Sequence, residues 1–168
     1  QIYHEHGIYL ALAPLHGFLA QFGLYVEDAC FVDLHGGCIQ IRIRKGDRSE
    51  MKMSDTAKRL QWQEHALQCG TTMGWQSFSL KAQIHRDAFR VILEEEKAKG
   101  TRLAGFTAPA KGMVLLQWAW IGPDLLPAIV DDTPEKQGLY TPGTRIPVVS
   151  RDYLKNQKPE ALVVLAHN

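Results

Sequence analysis

Leu103-Ala104-Gly105-Phe106-Thr107-Ala108-Pro109-Ala110-Lys111-Gly112 begins as a short apolar strand and opens at Gly105 into a turn bounded by glycines. Leu103 to Phe106 is predicted as the strand, Gly105 to Gly112 as the loop, Met113 to Ile121 as a helix, and Ala128 to Val130 as a second strand leading into Asp131-Asp132. Strand, turn, helix and strand in this order form a βαβ unit, which requires parallel strands and a right-handed crossover. Ile146 to Val149, a short helix around Arg151 to Leu154, and a buried strand from Ala161 to Ala166 extend the same sheet. The fold class is therefore α/β, with a mostly parallel sheet and flanking helices.

Upstream of this unit the periodicity is helical. A long helix is predicted from near Gln76 to Lys99, with Phe78, Ile84, Val91 and Ile92 among its apolar positions and Gly100 as its end. The block Glu94-Glu95-Glu96-Lys97 is a solvated helix end, with lysines favoured by the helix dipole. Ser54 reads as the N-cap of another helix reaching about Gln68. Before it the texture changes: Lys45 to Ser54 is a polar linker, and Leu24 to Val32 and Cys38 to Arg44 are β-rich. Ile39, Ile41 and Ile43 alternate with Gln40, Arg42 and Arg44, the period-2 pattern of a strand with one wet face, so the two strands are expected to pair antiparallel. A short amphipathic helix from Pro14 through Phe22 precedes them and stops at Gly23. The change of texture divides the chain into residues 1–50 and 51–168.

Composition excludes several classes of partner. The 168 residues carry 19 Lys and Arg against 18 Asp and Glu, so no bulk field exists to hold nucleic acid or an anionic membrane. No apolar run approaches the roughly 18 residues of a membrane-spanning helix, and the start of the chain lacks the basic and apolar regions of a signal peptide. The expectation is a cytoplasmic protein with no membrane or nucleic-acid partner. Cys30, Cys38 and Cys69 are spaced like neither a disulfide framework nor a zinc knuckle, so they read as reduced thiols.

The densest chemistry lies in Tyr3-His4-Glu5-His6, where four side chains can donate, accept or relay a proton. An extended segment would put Tyr3 and Glu5 on one side and His4 and His6 on the other, whereas a turn would let all four converge. The first methionine is Met51, and this proton-transfer cluster has nothing before it to hold a substrate, so the chain reads as part of a larger protein. His4, His6 and His35 supply three imidazoles at most, without a fourth ligand or second shell, and no metal site is read from them. His16, His65 and His85 fall in helical stretches as surface or satisfied structural residues. Trp118 and Trp120 read as core residues.

Five motifs occur in one order: Tyr3-His4-Glu5-His6, His35-Gly36-Gly37, Ala108-Pro109-Ala110-Lys111-Gly112, Asp131 through Gln137-Gly138, and Pro142-Gly143-Thr144-Arg145-Ile146-Pro147. In this the chain resembles the S-adenosylmethionine-dependent C-methyltransferases of deoxysugar biosynthesis. Members of that family have a small zinc-binding domain, a central cofactor-binding methyltransferase domain and a C-terminal Rossmann-like domain. The resemblance implies that residues 1–50 are the end of the central domain and 51–168 the Rossmann-like C-terminal domain. The zinc cysteines and the glycine-rich cofactor loop have no counterpart here. S-adenosylmethionine is therefore expected to bind a domain absent from this chain, with no cofactor on the chain itself. Cys38 stands where the family often has serine, and His167 where it has tryptophan.

The reaction so implied is methylation of a carbon next to the keto group of a nucleotide-linked sugar, with the missing zinc-binding and methyltransferase domains as partners. Such a carbon needs a base, and histidine, with an ordinary pKa of about 6.5, supplies one at neutral pH. The resemblance makes His6 the base, Glu5 the group that orients it, and Tyr3 a hydroxyl donor to the substrate. It places His35, Gly36, Gly37, Lys111 and Asp131 on the substrate side. A turn that leaves a parallel strand and opens a helix directs N–H groups at an anion, and Lys111 adds charge, although the spacing matches no standard phosphate-binding fingerprint. The same residues can equally make a plain strand-to-helix turn, His35 a plain loop, and Asp131 and Asp132 a helix cap before Pro134 in place of ribose ligands. The alternative to an enzyme fragment is a stand-alone Rossmann-like module that binds a nucleotide or nucleotide-sugar without chemistry.

Overall fold

The structure is a computed structural model that describes residues 7–34, 37–46 and 52–166. These form two compact units, Gly7–Leu80 and residues 81–166, with the division falling inside one long helix. The chain is α/β, as the order of elements predicts: a four-stranded parallel sheet with helices in one unit and a separate antiparallel strand pair in the other. No helix among the described residues is long and apolar enough to cross a membrane.

In the first unit, helix α1 (Leu12–Ala20) is followed by strands β1 (Leu24–Val32) and β2 (Cys38–Lys45) and helix α2 (Asp55–Ala66). α1 begins two residues before Pro14, which then occupies the first turn, where a missing N–H costs nothing. Its N-terminus is capped from another element, since Glu64 of α2 accepts hydrogen bonds from Leu12 N–H at 2.7 Å and Ala13 N–H at 3.2 Å. Gly23, at φ +66°, takes the left-handed turn into β1. The strands pair antiparallel from Leu24 opposite Lys45 to Val32 opposite Cys38. Only part of the expected inner face of β2 is covered: Ile41 packs on the core of Leu12, Leu19, Val26, Ala29 and Ala57, while Ile39 and Ile43 stay exposed. Both helices pack over β1, and Ile41 of β2 packs on the same core. Ser54 caps α2 as predicted, its Oγ accepting from Ala57 N–H at 3.1 Å. α2 stops at Ala66, and Gln68 is left-handed at φ +56°.

The long helix α3 (Thr72–Ala98) starts four residues before the predicted Gln76. Thr71 accounts for the difference: its Oγ1 accepts from Gly74 N–H at 3.0 Å, a cap hidden among glycines and threonines that read as loop. Gly100, at φ +81°, ends it as expected. Within 81–98 the helix buries Leu93 and packs Phe89 on the core, whereas Ile84, Val91 and Ile92 are exposed.

In the second unit, β3 (Leu103–Phe106), α4 (Ala110–Trp118) and β4 (Ile129–Val130) make the predicted βαβ unit. A 3-10 turn (Pro134–Lys136), β5 (Val148–Val149), α5 (Asp152–Gln157) and β6 (Ala161–Val164) complete it. The strand order is β5-β4-β3-β6, all parallel. Leu116 of α4 and Leu93 of α3 bury against Leu103, Ile129, Ile146 and Val148. β6 is less buried than its apolar sequence implied: it lies at the sheet edge, and Leu162 and Val164 alternate outward while Ala161 and Val163 pack inward. Trp118 and Trp120 are also corrected, being 41% and 81% exposed. α4 ends at Trp118, Trp120 turns left-handed at φ +53°, and the Arg90 guanidinium donates to the carbonyls of Ala119 and Trp120. The tryptophans therefore face outward from a helix end whose Leu116, Ala119 and Ile121 stay in the core, with the Arg86 guanidinium 5.3 Å from the Trp118 ring.

Candidate functional site

The strand order fixes where a ligand would meet the second unit. From β3 the chain crosses through α4 to β4 and then β5 on one side, and it returns at the end to place β6 on the other side of β3. In open α/β sheets the crevice at the carboxyl ends of the strands, where the direction of winding reverses, is the usual binding place. Here that point is the turn from Phe106 to Ala110.

The turn is held from β4. Thr107 N–H donates to the Val130 carbonyl at 2.8 Å, extending the β3–β4 ladder by one bond. Thr107 itself is left-handed at φ +65°, and Pro109 then serves as N-cap of α4 without a side-chain hydrogen bond to the helix. α4 starts at Ala110 and not at the expected Met113, because Gly112 is a helical residue chosen for space. A Cβ there would lie 2.9 Å from Leu165 Cβ and 3.2 Å from Pro109 Cγ, so glycine lets the helix approach the end of β6.

Asp131 is the hub of this region. It is 6% exposed, and its Oδ2 accepts from Ala108 N–H at 2.6 Å while Oδ1 accepts from Thr133 N–H at 2.9 Å. Lys136 Nζ lies 3.3 Å from Oδ2 and donates to the Ala108 carbonyl at 3.0 Å, and the Gln137 amide donates to the Asp131 carbonyl at 2.9 Å. Burial pushes the Asp131 carboxyl up, but its hydrogen bonds to Thr133, Ala108 and Lys136 together outweigh burial and hold it at about 2. The neighbouring Asp132 accepts from Nε and Nη2 of Arg151 at the surface, a bidentate pair.

Of the residues singled out in the sequence, Lys111 and Asp131 share this carboxyl end, Lys111 in the first turn of α4 and Asp131 just past β4. Gly37 belongs to the other unit, where at φ +107° it leads into β2 and donates its N–H to the Leu34 carbonyl at 2.9 Å. Tyr3, His4, Glu5, His6, His35 and Gly36 lie outside the described residues. Thr107 and Lys136 did not stand out in the sequence. Lys136 sits five residues after Asp131 across an intervening proline, a spacing with no helical or strand meaning until the 3-10 turn folds it back. His16, placed among satisfied structural histidines, accepts from Val26 N–H through Nδ1 at 3.4 Å. A cavity of about 410 Å³ lies against Arg102, Leu103, Asp124 and Tyr153, at the amino end of β3.

Residues 33–168 match the family described as the C-methyltransferase C-terminal domain. The chain belongs to that family. It is also 29% identical over 167 residues to the C-methyltransferase NovU of Streptomyces niveus, an alignment that covers 99% of this chain and 40% of that protein. The chain thus spans about 40% of the length of the relative it matches.

Membership raises the question of S-adenosylmethionine. The acidic residue past the second strand, which would take ribose hydroxyls in a nucleoside-binding sheet, spends both oxygens on Ala108, Thr133 and Lys136.

Proposed function

We propose that this chain is the C-terminal portion of a cytoplasmic S-adenosylmethionine-dependent methyltransferase that methylates a carbon next to the keto group of a nucleotide-linked deoxysugar. What supports the reading is the family match together with the turn at the carboxyl end of β3, where α4 begins without a side-chain cap. In this reading residues 1–50 close the central methyltransferase domain, residues 51–168 form the Rossmann-like domain, and the methyl donor sits in a domain upstream. The nucleotide diphosphate meets the turn 107–112, with Lys111 contributing charge. His35, Gly36 and Gly37 contact substrate from their loop. Asp131 acts through the turn, fixing Ala108 and Lys136 while leaving direct contact to neighbouring groups.

His6 removes the proton from the carbon beside the keto group, Glu5 orients the imidazole, and the Tyr3 hydroxyl donates to the oxygen on which the enolate charge collects. The test is solvent deuterium exchange at that carbon in the intact enzyme. His6→Asn should abolish both exchange and methyl transfer while nucleotide-sugar affinity stays within about threefold, the pattern of a lost proton-transfer group. Tyr3→Phe should slow exchange. Full exchange in the His6→Asn enzyme would assign the base elsewhere, with His4 next in line.

A further inference from the structure

We infer that Thr107 is a ligand-contacting residue of the β3–α4 turn, whose hydroxyl donates to a phosphate oxygen of the nucleotide diphosphate. The inference rests on the reading above that a nucleotide-linked sugar meets this end of the sheet, and it adds a residue that neither the sequence motifs nor the family match assigns.

Two independent anomalies meet at this residue. The first is its backbone: among the described non-glycine residues with positive φ, Gln68, Trp120 and Lys158 follow the ends of α2, α4 and α5, and Arg145 sits in the turn after Gly143. Left-handed residues at helix ends satisfy terminal carbonyls and need no other explanation. Thr107 instead follows a strand, and it is β-branched, the kind of side chain for which φ > 0 is most costly. The second anomaly is its side chain: Thr107 Oγ1 is fully buried with no hydrogen-bond partner, although the backbone N–H of the same residue is paired with Val130. A buried hydroxyl without a partner loses its hydration and gains nothing in exchange.

Both costs fall on one residue because the surroundings fix it on either side, through Thr107 N–H to Val130 and Ala108 N–H to Asp131. Strain that is over-determined in this way collects where a ligand is to be met. The position is the winding reversal of the sheet, three residues before the start of an uncapped nine-residue helix and four before Lys111. An anionic acceptor suits that setting, because the hydroxyl, the helix start and the ammonium all favour negative charge. Since Oγ1 is shut off from solvent, contact requires the 107–109 turn to shift far enough to admit one oxygen. Release of the left-handed backbone favours that shift.

The experiment titrates thymidine diphosphate into this chain and follows the amide signals of Gly105 to Gly112, in the parent and in Thr107→Ser, Thr107→Val and Thr107→Gly. Thr107→Ser should bind within about threefold of the parent. Thr107→Val keeps the shape and loses the hydroxyl, and Thr107→Gly accepts the left-handed backbone, so it should fold wherever the parent does; both should bind about tenfold or more weaker. Glycine should also raise the melting temperature, which separates lost affinity from lost structure. Parental affinity in the valine and glycine variants would overturn the role of Thr107 and leave the phosphate reading standing. Identical amide spectra of the parent in thymidine diphosphate and in buffer would overturn both.

Discussion

Asp131 shows how one buried carboxylate can be worth more to the fold than to a ligand. It accepts from two backbone N–H groups and from Lys136, and its pKa of about 2 lies below the ordinary 3.8. A depressed folded-state pKa means that the unfolded chain binds the proton first as pH falls. The stabilisation is therefore complete above about pH 4, is lost as pH drops toward 2, and amounts to about 2 kcal/mol by linkage. Asp131→Asn should lower urea stability by about that amount at pH 6, since the amide puts an N–H against donors. At pH 2 the parent and the variant should converge. A difference that stays constant from pH 6 to pH 2 would show that packing, not charge, sets the value of this residue.

At the level of elements, helix boundaries follow from contacts that one element makes with another. α1 is capped by Glu64 from α2, and α4 is closed by Arg90 from α3. Gly112 lies in the first turn of α4, where alanine would ordinarily favour the helix by about 1 kcal/mol. Here the added methyl would meet Leu165 Cβ at 2.9 Å and the Leu165 carbonyl oxygen at 3.2 Å, neither of which is the free end of a flexible side chain. Gly112→Ala should thus destabilise the chain by about 1–3 kcal/mol despite its better propensity. Chemical denaturation measures this, and a stabilised variant would mean that α4 and the end of β6 are less closely packed than described.

For the molecule as a whole, the proposed function places the methyl donor outside this chain. The group that would hold a ribose is engaged by the turn. Calorimetry of this chain with S-adenosylmethionine should accordingly give no saturable heat at micromolar concentrations. Saturable binding there would place the donor on this chain. The chain spans 40% of the length of the C-methyltransferase it is similar to.

Local pattern by itself determined the βαβ unit, the strand pair, the cap at Ser54 and the stop at Gly100. Each of these depends on residues within one turn or one strand of each other, where periodicity and backbone preference act directly. The ordered motifs likewise made the family legible before any contact was known. Tertiary structure alone decided the rest. Gly112 reads as loop until Leu165 is seen against it, and Thr71 reads as loop until it caps Gly74. Ile39 and Ile43 read as core until the helices are seen to cover β1 instead. Asp131 belongs to the turn at Ala108, 23 residues away, and Thr107 stands out only once its hydroxyl is buried and unmet. These facts depend on which surfaces meet in space, and the free energy of such meetings is not written in the spacing of residues along the chain.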